Sequence, residues 1–507
     1  MPINQLKAGA VLSYVAIGLN NIVGLLYTPY MFRMLGQNEY GLYSLVASVV
    51  AYLTVLDLGF ANAIVRYTAK FRAENKIQEQ YEMFGMFFIL YCGIGLVAFL
   101  IGLGLYFNVA VLFDATMNAE DLYKIRVMML LMVFNIAFTF PMSIWGAIIT
   151  AYENFVFQKL VNIARIILNP LVMILLLSMG YKAIAMVVVI TLFNVATLCI
   201  NAWYCKYRLD IKVKFARFKW GFLKEVSVYS FWIFLNAIMD RIYWSTGQFV
   251  LGMFAGAVAV AIYAVAIQLE HIFMSFSTAI SGVFLPKVTA MVAKGNSEKE
   301  ISDLFIRTGR IQYLVMAFIL TGFILFGKQF IILWAGSGYE EAYYISLLFF
   351  IPFTVPLIQN LGITILQARN QMKFRSSLCV VIAICSLGIS IPLAKLYGGI
   401  GCAVGTASAL VAGQIIAMNI YYYKRIHIDI PLFWKEILKM SIAPAVLGII
   451  GWFLLQQVEM NTVILLVSYI LVFSIIYVIV IWKAGMNVYE RELFSTPILK
   501  LYHRIIR

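Results

Sequence analysis

Residues 9–32 read GAVLSYVAIGLNNIVGLLYTPYMF, a run of 24 residues without a charged side chain. A helix needs about 20 mostly apolar residues to cross the hydrocarbon core of a bilayer. This run therefore predicts a membrane-spanning helix. It is longer than the apolar core of a signal peptide, so we expect it to remain uncleaved as the first helix.

The composition of the whole chain extends this interpretation. Of its 507 residues, 63% are apolar and 12% are charged, and the mean hydropathy is +0.92. Soluble globular chains are roughly 45–50% apolar and about 25% charged. The values exclude a soluble enzyme, a DNA-binding domain and a disordered chain, and they predict an all-α polytopic membrane protein.

The chain contains fourteen such runs, including the first. They are long and continuous rather than alternating, which favours helices over the strands of a membrane barrel. The predicted spans cover residues 9–32, 40–63, 84–106, 127–150, 158–179, 183–204, 226–250, 257–284, 311–334, 342–366, 376–394, 398–423, 440–456 and 462–482.

The basic residues predict the orientation of these spans. When residues at the ends of spans are assigned to the nearer side, 30 of the 38 Lys and Arg residues fall on the side of the two termini and six on the other side, and Arg165 and Arg241 lie deep within spans. Loops rich in Lys and Arg stay in the cytoplasm. We therefore expect a multi-pass membrane protein with both termini in the cytoplasm. The bias also accounts for the net charge of +15, so no nucleic-acid partner is needed.

The order of spans suggests a repeated architecture. A shift of about 220 residues places Gly36 on Gly256 and Tyr43 on Tyr263, and related lobes around a shared site are common in transporters. We predict two six-helix lobes around a central cavity, with two peripheral C-terminal helices. The predicted segments are an N-lobe (1–205), a basic cytoplasmic linker (206–224), a C-lobe (225–424), and helices 13–14 with a basic tail (425–507).

Several spans carry polar residues three or four positions apart, which places each set on one helix face. Such stripes form interhelical hydrogen bonds or line a polar cavity. The stripes are Asn135, Thr139, Ser143 and Gly146; Asn162, Arg165 and Asn169; Thr191, Asn194, Thr197 and Asn201; and Asn360, Thr364 and Gln367.

Ionisable residues within spans are costly and mark functional sites by default. Those deepest in the predicted spans are Asp57, Arg165, Asp240, Arg241 and Glu270, with His271 next to the last. Most of these residues also have a purely structural interpretation.

Asp240 and Arg241 would neutralise each other, and the Arg165 side chain would extend to the membrane interface. Glu270 would be a protonated packing residue, and Asp57 would mark an irregularity in its helix. Arg66, at the end of the second predicted span, would be a cytoplasmic anchor.

Other site types find no support in the sequence. The six cysteines and three histidines form no CxxC pair and no Cys/His cluster, so we predict neither a metal site nor a cofactor. The loops are too short for a catalytic domain, and we predict that the protein is not an enzyme.

The stretch 35–43, LGQNEYGLY, followed by Asp57-Leu58-Gly59 and Arg66, resembles the amino-terminal signature of polysaccharide (Wzx-like) flippases. These belong to the multidrug/oligosaccharidyl-lipid/polysaccharide (MOP) exporter superfamily. The resemblance implies a location in the bacterial cytoplasmic (inner) membrane, transport by alternating access, and translocation of polyprenyl-diphosphate-linked oligosaccharide from the cytoplasmic to the periplasmic leaflet, for O-antigen, capsule or exopolysaccharide. Lipid II flippases of this superfamily carry arginine in the first helix and drug antiporters carry an acidic residue there. This chain has Asn20 and Asn21 instead.

A diphosphate is bound by arginine and sugars by amides. The predicted substrate-binding residues are Arg165, Arg241, Asn162, Asn169, Asn20 and Asn236. The predicted coupling or gating residues are Asp57, Arg66, Asp240, Glu270 and His271. Beyond the oligosaccharide, the predicted partners are a proton or sodium gradient, membrane lipid, a polysaccharide polymerase and glycosyltransferases. The alternatives are a drug/cation antiporter of the same superfamily and a membrane polysaccharide polymerase.

Overall fold

A computed structural model describes residues 5–215, 220–295, 297–369, 371–456, 458, 460–493 and 495. The described chain is helical throughout and contains no strand. In its first half the helices are α1 (Gln5–Ala51), α2 (Phe60–Ala73), α3 (Ile77–Phe107), α4 (Val109–Phe113), α5 (Ala119–Ala151), α6 (Phe155–Ser178), α7 (Ala183–Tyr207) and α8 (Trp220–Phe254). They continue with α9 (Gly256–Ala293), α10 (Glu298–Trp334), α11 (Glu341–Ile358), α12 (Leu361–Ala368), α13 (Lys373–Leu410), α14 (Met418–Lys424), α15 (Ile430–Leu455) and α16 (Val463–Val480).

The described residues include eleven stretches that are long and apolar enough to cross a membrane. Val11–Ala73 and Lys373–Lys424 have 63 and 52 residues, enough for two crossings each. Both contain a sharp turn, at Gly36 (φ 74°) and at Gly398 (φ 56°). With these counted twice and α8 added, the predicted fourteen spans are recovered, and the prediction of an all-α polytopic membrane protein is confirmed.

Two predicted spans are interrupted. The second ends its regular part at Ala51 and continues as a 3₁₀ helix (Tyr52–Asp57) and then α2. Leu58 and Gly59 between them have positive φ values of 53° and 72°. The tenth span divides into α11 and α12, and Pro352 and Pro356 lie within α11. Proline removes a backbone donor and bends a helix, which accounts for the second break.

Several helices extend beyond their apolar runs. α10 begins at Glu298 with a capping box formed by Ser297 and Glu300, although its apolar run begins at residue 311. Between this start and α9, the described residues form a turn at Gly295 (φ 69°). Hydropathy reports the part of a helix inside the bilayer, whereas caps set where the helix itself begins.

Backbone turns recur along the chain at separations of about 220 residues. Positive φ is uncommon for residues other than glycine and marks specific turns. The recurring pairs are Gly36 (φ 74°) with Gly256 (84°), Asn75 (55°) with Gly295 (69°), Gly180 (88°) with Gly398 (56°), and Asp210 (48°) with His427 (59°). These pairs support the repeat that the 220-residue shift suggested.

The chain forms two compact units, Met1–Ala264 with Ala394–Gly399, and Val265–Leu393 with Ile400–Arg507. The first has a core built on fully buried aromatic residues, including Phe84, Phe87 and Tyr91. In the second, α15 and α16 pack on α10 through small clusters that include Leu314 and Tyr477. The division into lobes at 1–205 and 225–424 remains a proposal.

Candidate functional site

Polar side chains of α5, α6 and α7 meet in the first unit, and Asn194 of α7 connects them. Its Nδ2 donates to Oδ1 of Asn135 and to Oγ1 of Thr139 on α5, both at 2.8 Å. Its Oδ1 accepts a hydrogen bond from Nη1 of Arg165 on α6 at 3.4 Å. The three stripes seen in the sequence therefore form one hydrogen-bonded network.

Arg165 brings a positive charge into this network. It lies ten residues into α6, which is about 15 Å along the helix axis, and it is half-buried. Among the described residues it forms no ion pair, and its one hydrogen bond is to Asn194. A guanidinium has five N–H donors. Most of them are therefore available to an anion.

Helix α1 runs alongside α6 in the same direction. Val156 N donates to Oε1 of Gln5 at 3.2 Å near the start of both helices, and the Tyr30 hydroxyl donates to the carbonyl of Ile174 at 3.4 Å near the far end of α6. Because both helices rise 1.5 Å per residue, Asn20 lies at about the level of Arg165. Asn20 is exposed on the surface of the unit, as is Asn162 of α6.

Further along the same stripes, buried oxygen atoms have no hydrogen-bond partner among the described residues. They are Oδ1 of Asn169, Oγ1 of Thr191 and Oδ1 of Asn201. Buried polar atoms nearly always bind a protein group or an ordered water. Each of these three atoms therefore has a free acceptor position within the described part of the chain.

Asp57 makes a separate polar contact in the first unit. It ends the 3₁₀ helix at the break in the second span, and its Oδ1 accepts a hydrogen bond from the Tyr91 hydroxyl at 2.8 Å. The Tyr91 ring stacks on Phe140 with centroids 6.4 Å apart. Asp57 thus occurs at a helix irregularity, as one interpretation of the sequence expected, and it is tied to α3.

In the first unit, none of the other predicted residues whose side chains the structure describes joins this network. Arg66 of α2 and Arg241 of α8 are both exposed on the unit that contains them. The side chains of Asn236 and Asp240 lie outside the described residues. In the second unit, Glu270 is 0% exposed and neither carboxylate oxygen has a hydrogen-bond partner in the described chain. The adjacent His271 is exposed, as expected for successive residues on a helix.

The stretch 35–43 has a structural role. Gly36 turns the chain, Asn38 donates to Asp121 at 2.8 Å, and the buried Glu39 pairs with Lys124 at 2.7 Å. Glu39 also accepts a bond from the backbone N–H of Ala183 at 3.3 Å. At Gly41 the backbone carbonyl of Ala257 approaches so closely that a Cβ would overlap it. The signature therefore joins the ends of neighbouring helices.

Sequence reasoning missed a second amide network, in the second unit. The side chains of Gln359 and Asn419 exchange hydrogen bonds of 2.8 and 3.2 Å, and Trp434 Nε1 donates to Asn419 at 3.0 Å. The π-helix at Val411–Ala417 precedes Asn419 and disturbs the spacing of three or four that identifies a stripe. Gln414 and Asn419 are five residues apart, the spacing that a π-helix brings together. This pair was the only indication in the sequence of a polar face on this segment.

The helical fold and its apolar spans define a multi-pass membrane protein. The chain belongs to the polysaccharide biosynthesis protein family, whose model matches residues 6–292. A Shigella flexneri protein named "Putative O-antigen transporter" is 19% identical over 407 residues, covering 77% of this chain and 92% of that protein.

Two solved structures show the shared fold. The lipid II flippase MurJ in an inward closed conformation has a TM-score of 0.72 at 15% identity, with 97% of this chain and 100% of that chain covered. An inward-facing multidrug resistance MATE family transporter of the MOP superfamily has a TM-score of 0.62 at 13% identity, with 83% and 99% covered.

Proposed function

We propose that this protein is a flippase that moves polyprenyl-diphosphate-linked oligosaccharide units from the cytoplasmic to the periplasmic leaflet by alternating access. Membership of the polysaccharide biosynthesis family and similarity to an O-antigen transporter support this substrate class. Glycosyltransferases would build the unit on the cytoplasmic side, and a polymerase would consume it on the other. The protein would reside in the bacterial inner membrane with both termini in the cytoplasm.

The proposal rests on the surroundings of Arg165. This cation lies in a membrane-spanning helix, and it is hydrogen-bonded to an amide rather than paired with a carboxylate. A charge within a membrane is costly unless it is paired or faces water. A diphosphate supplies the missing negative charge, and its oxygens accept the paired donors of a guanidinium. Asn20 and Asn162, exposed on the neighbouring surfaces, offer donors and acceptors to sugar hydroxyls.

Glu270 is proposed as the coupling residue. A buried, unpaired carboxylate costs several kcal/mol, so the group must be neutralised when the second unit adopts this structure. A proton or a sodium ion would do this. A change of occupancy would then favour one conformation over another, as a differential interaction must in order to shift a two-state equilibrium.

Complementation of a strain that lacks its own flippase tests the proposal. Arg165→Ala should abolish surface polysaccharide while the protein remains in the membrane at normal levels. Arg165→Lys should restore surface polysaccharide in part, because lysine keeps the positive charge but lacks the planar guanidinium group that forms two parallel hydrogen bonds to a phosphate. Lys159→Ala, on a different face of the same helix, is the matched control and should complement fully. Full complementation by Arg165→Ala at normal expression would reject the proposed site.

The alternative function, a drug/cation antiporter, has the same fold in its favour. It predicts efflux of cationic dyes by purified protein in vesicles under a proton or sodium gradient. The flippase proposal predicts no dye efflux under either gradient, and robust efflux would favour the antiporter.

A further inference from the structure

A cavity of about 700 Å³ opens in the second unit where the first turn of α13 meets the end of α14. The two segments are held together there by the rings of Phe374 and Tyr421, which stack with centroids 4.0 Å apart and planes 10° from parallel. The residues that line the cavity are Gln371, Lys373, Phe374, Ser377, Tyr421, Arg425 and Ile426.

The cavity is positively charged. Lys373 and Arg425 are exposed, and neither forms an ion pair with any described residue. The neighbouring Arg369 is already paired with Glu298 at 2.9 Å. The segments 367–375 and 420–428 contain five Lys and Arg residues and no Asp or Glu. Two unpaired cations beside the Ser377 hydroxyl provide charge-assisted hydrogen bonds to a phosphate.

An apolar surface leads away from the cavity along the membrane-spanning part of α13. Phe374, Ser377, Val381 and Ile384 recur at intervals of three or four residues and so share one helix face. The side chains of Val381 and Ile384 are 55% and 62% exposed. On the segment that packs beside α13, Ile416 and Ile420 are also more than half exposed. An acyl chain can pack against such a surface, whereas a free phosphate ion has no apolar group with which to contact it.

We propose that this cavity binds the headgroup phosphate of an anionic phospholipid, with Lys373, Arg425 and Ser377 on the phosphate and an acyl chain along the exposed face of α13. Anionic lipids attract clustered basic residues at the ends of spans. The bound lipid would stabilise the contact between α13 and α14. The proposal does not depend on which substrate the protein transports.

Native mass spectrometry and thermal unfolding of the full chain in detergent test this proposal with phosphatidylglycerol as the probe. Wild type should retain bound phosphatidylglycerol, and its unfolding temperature should rise more with this lipid than with phosphatidylcholine. The double variant Lys373→Gln/Arg425→Gln should bind phosphatidylglycerol about tenfold more weakly or worse. The control Lys212→Gln/Lys435→Gln, which removes two exposed cations elsewhere, should behave as wild type.

Control measurements without lipid, with inorganic phosphate and with a polyprenyl phosphate test folding and distinguish the possible sources of phosphate. Unfolding temperatures without lipid should match among the variants, which shows that both fold. Inorganic phosphate at the same concentration should give no stabilisation. If phosphate alone matches the lipid, if a polyprenyl phosphate binds where phosphatidylglycerol does not, or if the Lys373/Arg425 variant binds phosphatidylglycerol like wild type, the proposal is overturned.

Discussion

The guanidinium of Arg165 donates to the side-chain oxygen of Asn194 at 3.4 Å, and Asn194 is itself fixed by two bonds of 2.8 Å to Asn135 and Thr139. Three helices thus position one cation through a neutral amide. An amide orients the guanidinium and leaves its charge available, whereas a carboxylate in the same place would neutralise it.

Replacement of Asn194 by Asp should test this arrangement, because the new carboxylate is nearly the same shape. It would pair with Arg165 and compete with a substrate phosphate. We expect the transport rate to fall about tenfold or more, as loss of a hydrogen bond to a charged group costs about 1.5–3 kcal/mol. Thr197→Val, one turn away on α7, is the control. Equal transport by Asn194→Asp and wild type in vesicles would show that Arg165 does not need a free charge.

The close approach at Gly41 gives a prediction about stability. A Cβ there would overlap the backbone carbonyl of Ala257, so Gly41→Ala should destabilise the protein by about 1–3 kcal/mol. Gly18 of α1 has open space around it, and Gly18→Ala should be neutral or stabilising by up to about 1 kcal/mol. Thermal unfolding in detergent measures both. A lower unfolding temperature for Gly18→Ala than for Gly41→Ala would contradict the close contact at Gly41.

A buried ion cluster attaches the C-terminal helices to α10. Arg310 contacts Glu490 through two bonds of 2.6 and 3.0 Å and Glu436 through one of 2.6 Å. Arg310 and Glu490 are 6% and 1% exposed. Arg310→Ala leaves a buried carboxylate unpaired and should cost about 3–5 kcal/mol. Glu436→Gln should cost less, because Glu436 is partly exposed and Glu490 keeps the guanidinium paired. Similar unfolding temperatures for the two variants would argue against the cluster.

Orientation is open to direct labelling. In a variant whose six native cysteines are replaced by alanine, a cysteine at Ala115 should react with an impermeant thiol reagent in intact cells. A cysteine at Lys212 should react only after the cells are opened. Both positions are exposed in the structure, so access depends on the side of the membrane. The reverse labelling pattern would place the termini in the periplasm.

Glu270→Gln should separate binding from coupling. The amide mimics the neutral carboxyl permanently, so the variant should bind the lipid-linked oligosaccharide and lose acceleration by an imposed proton or sodium gradient. Transport by wild type and variant is compared in vesicles with and without each gradient. If both respond equally to the gradient, Glu270 serves packing and coupling lies elsewhere.

Hydropathy predicted the spans because the bilayer imposes the same length on each of them. The polar faces of α5, α6 and α7 could also be predicted, since residues four apart such as Asn135 and Thr139 must share a face, but which helices they join could not. Gln359 and Asn419 could not be paired in this way. They lie 60 residues apart, and a π-helix removes the expected spacing.

The ion cluster at Arg310 was missed for a different reason. The sequence places Arg310 in a basic connection, where it counts toward the cytoplasmic charge. Its partners lie 126 and 180 residues away, and nothing local to Arg310 indicates them. The break at Leu58 and Gly59 was foreseen only as an alternative, because a positive φ at leucine depends on the surrounding helices rather than on its own preference.

Arg165 is proposed to bind the diphosphate of a lipid-linked oligosaccharide during translocation. The most direct test of this proposal is the rate at which purified protein in vesicles moves a fluorescent polyprenyl-diphosphate sugar between leaflets. We predict rapid translocation by wild type and by Lys159→Ala, a partial rate for Arg165→Lys, and the rate of protein-free vesicles for Arg165→Ala. Translocation by folded Arg165→Ala at the wild-type rate would contradict the account.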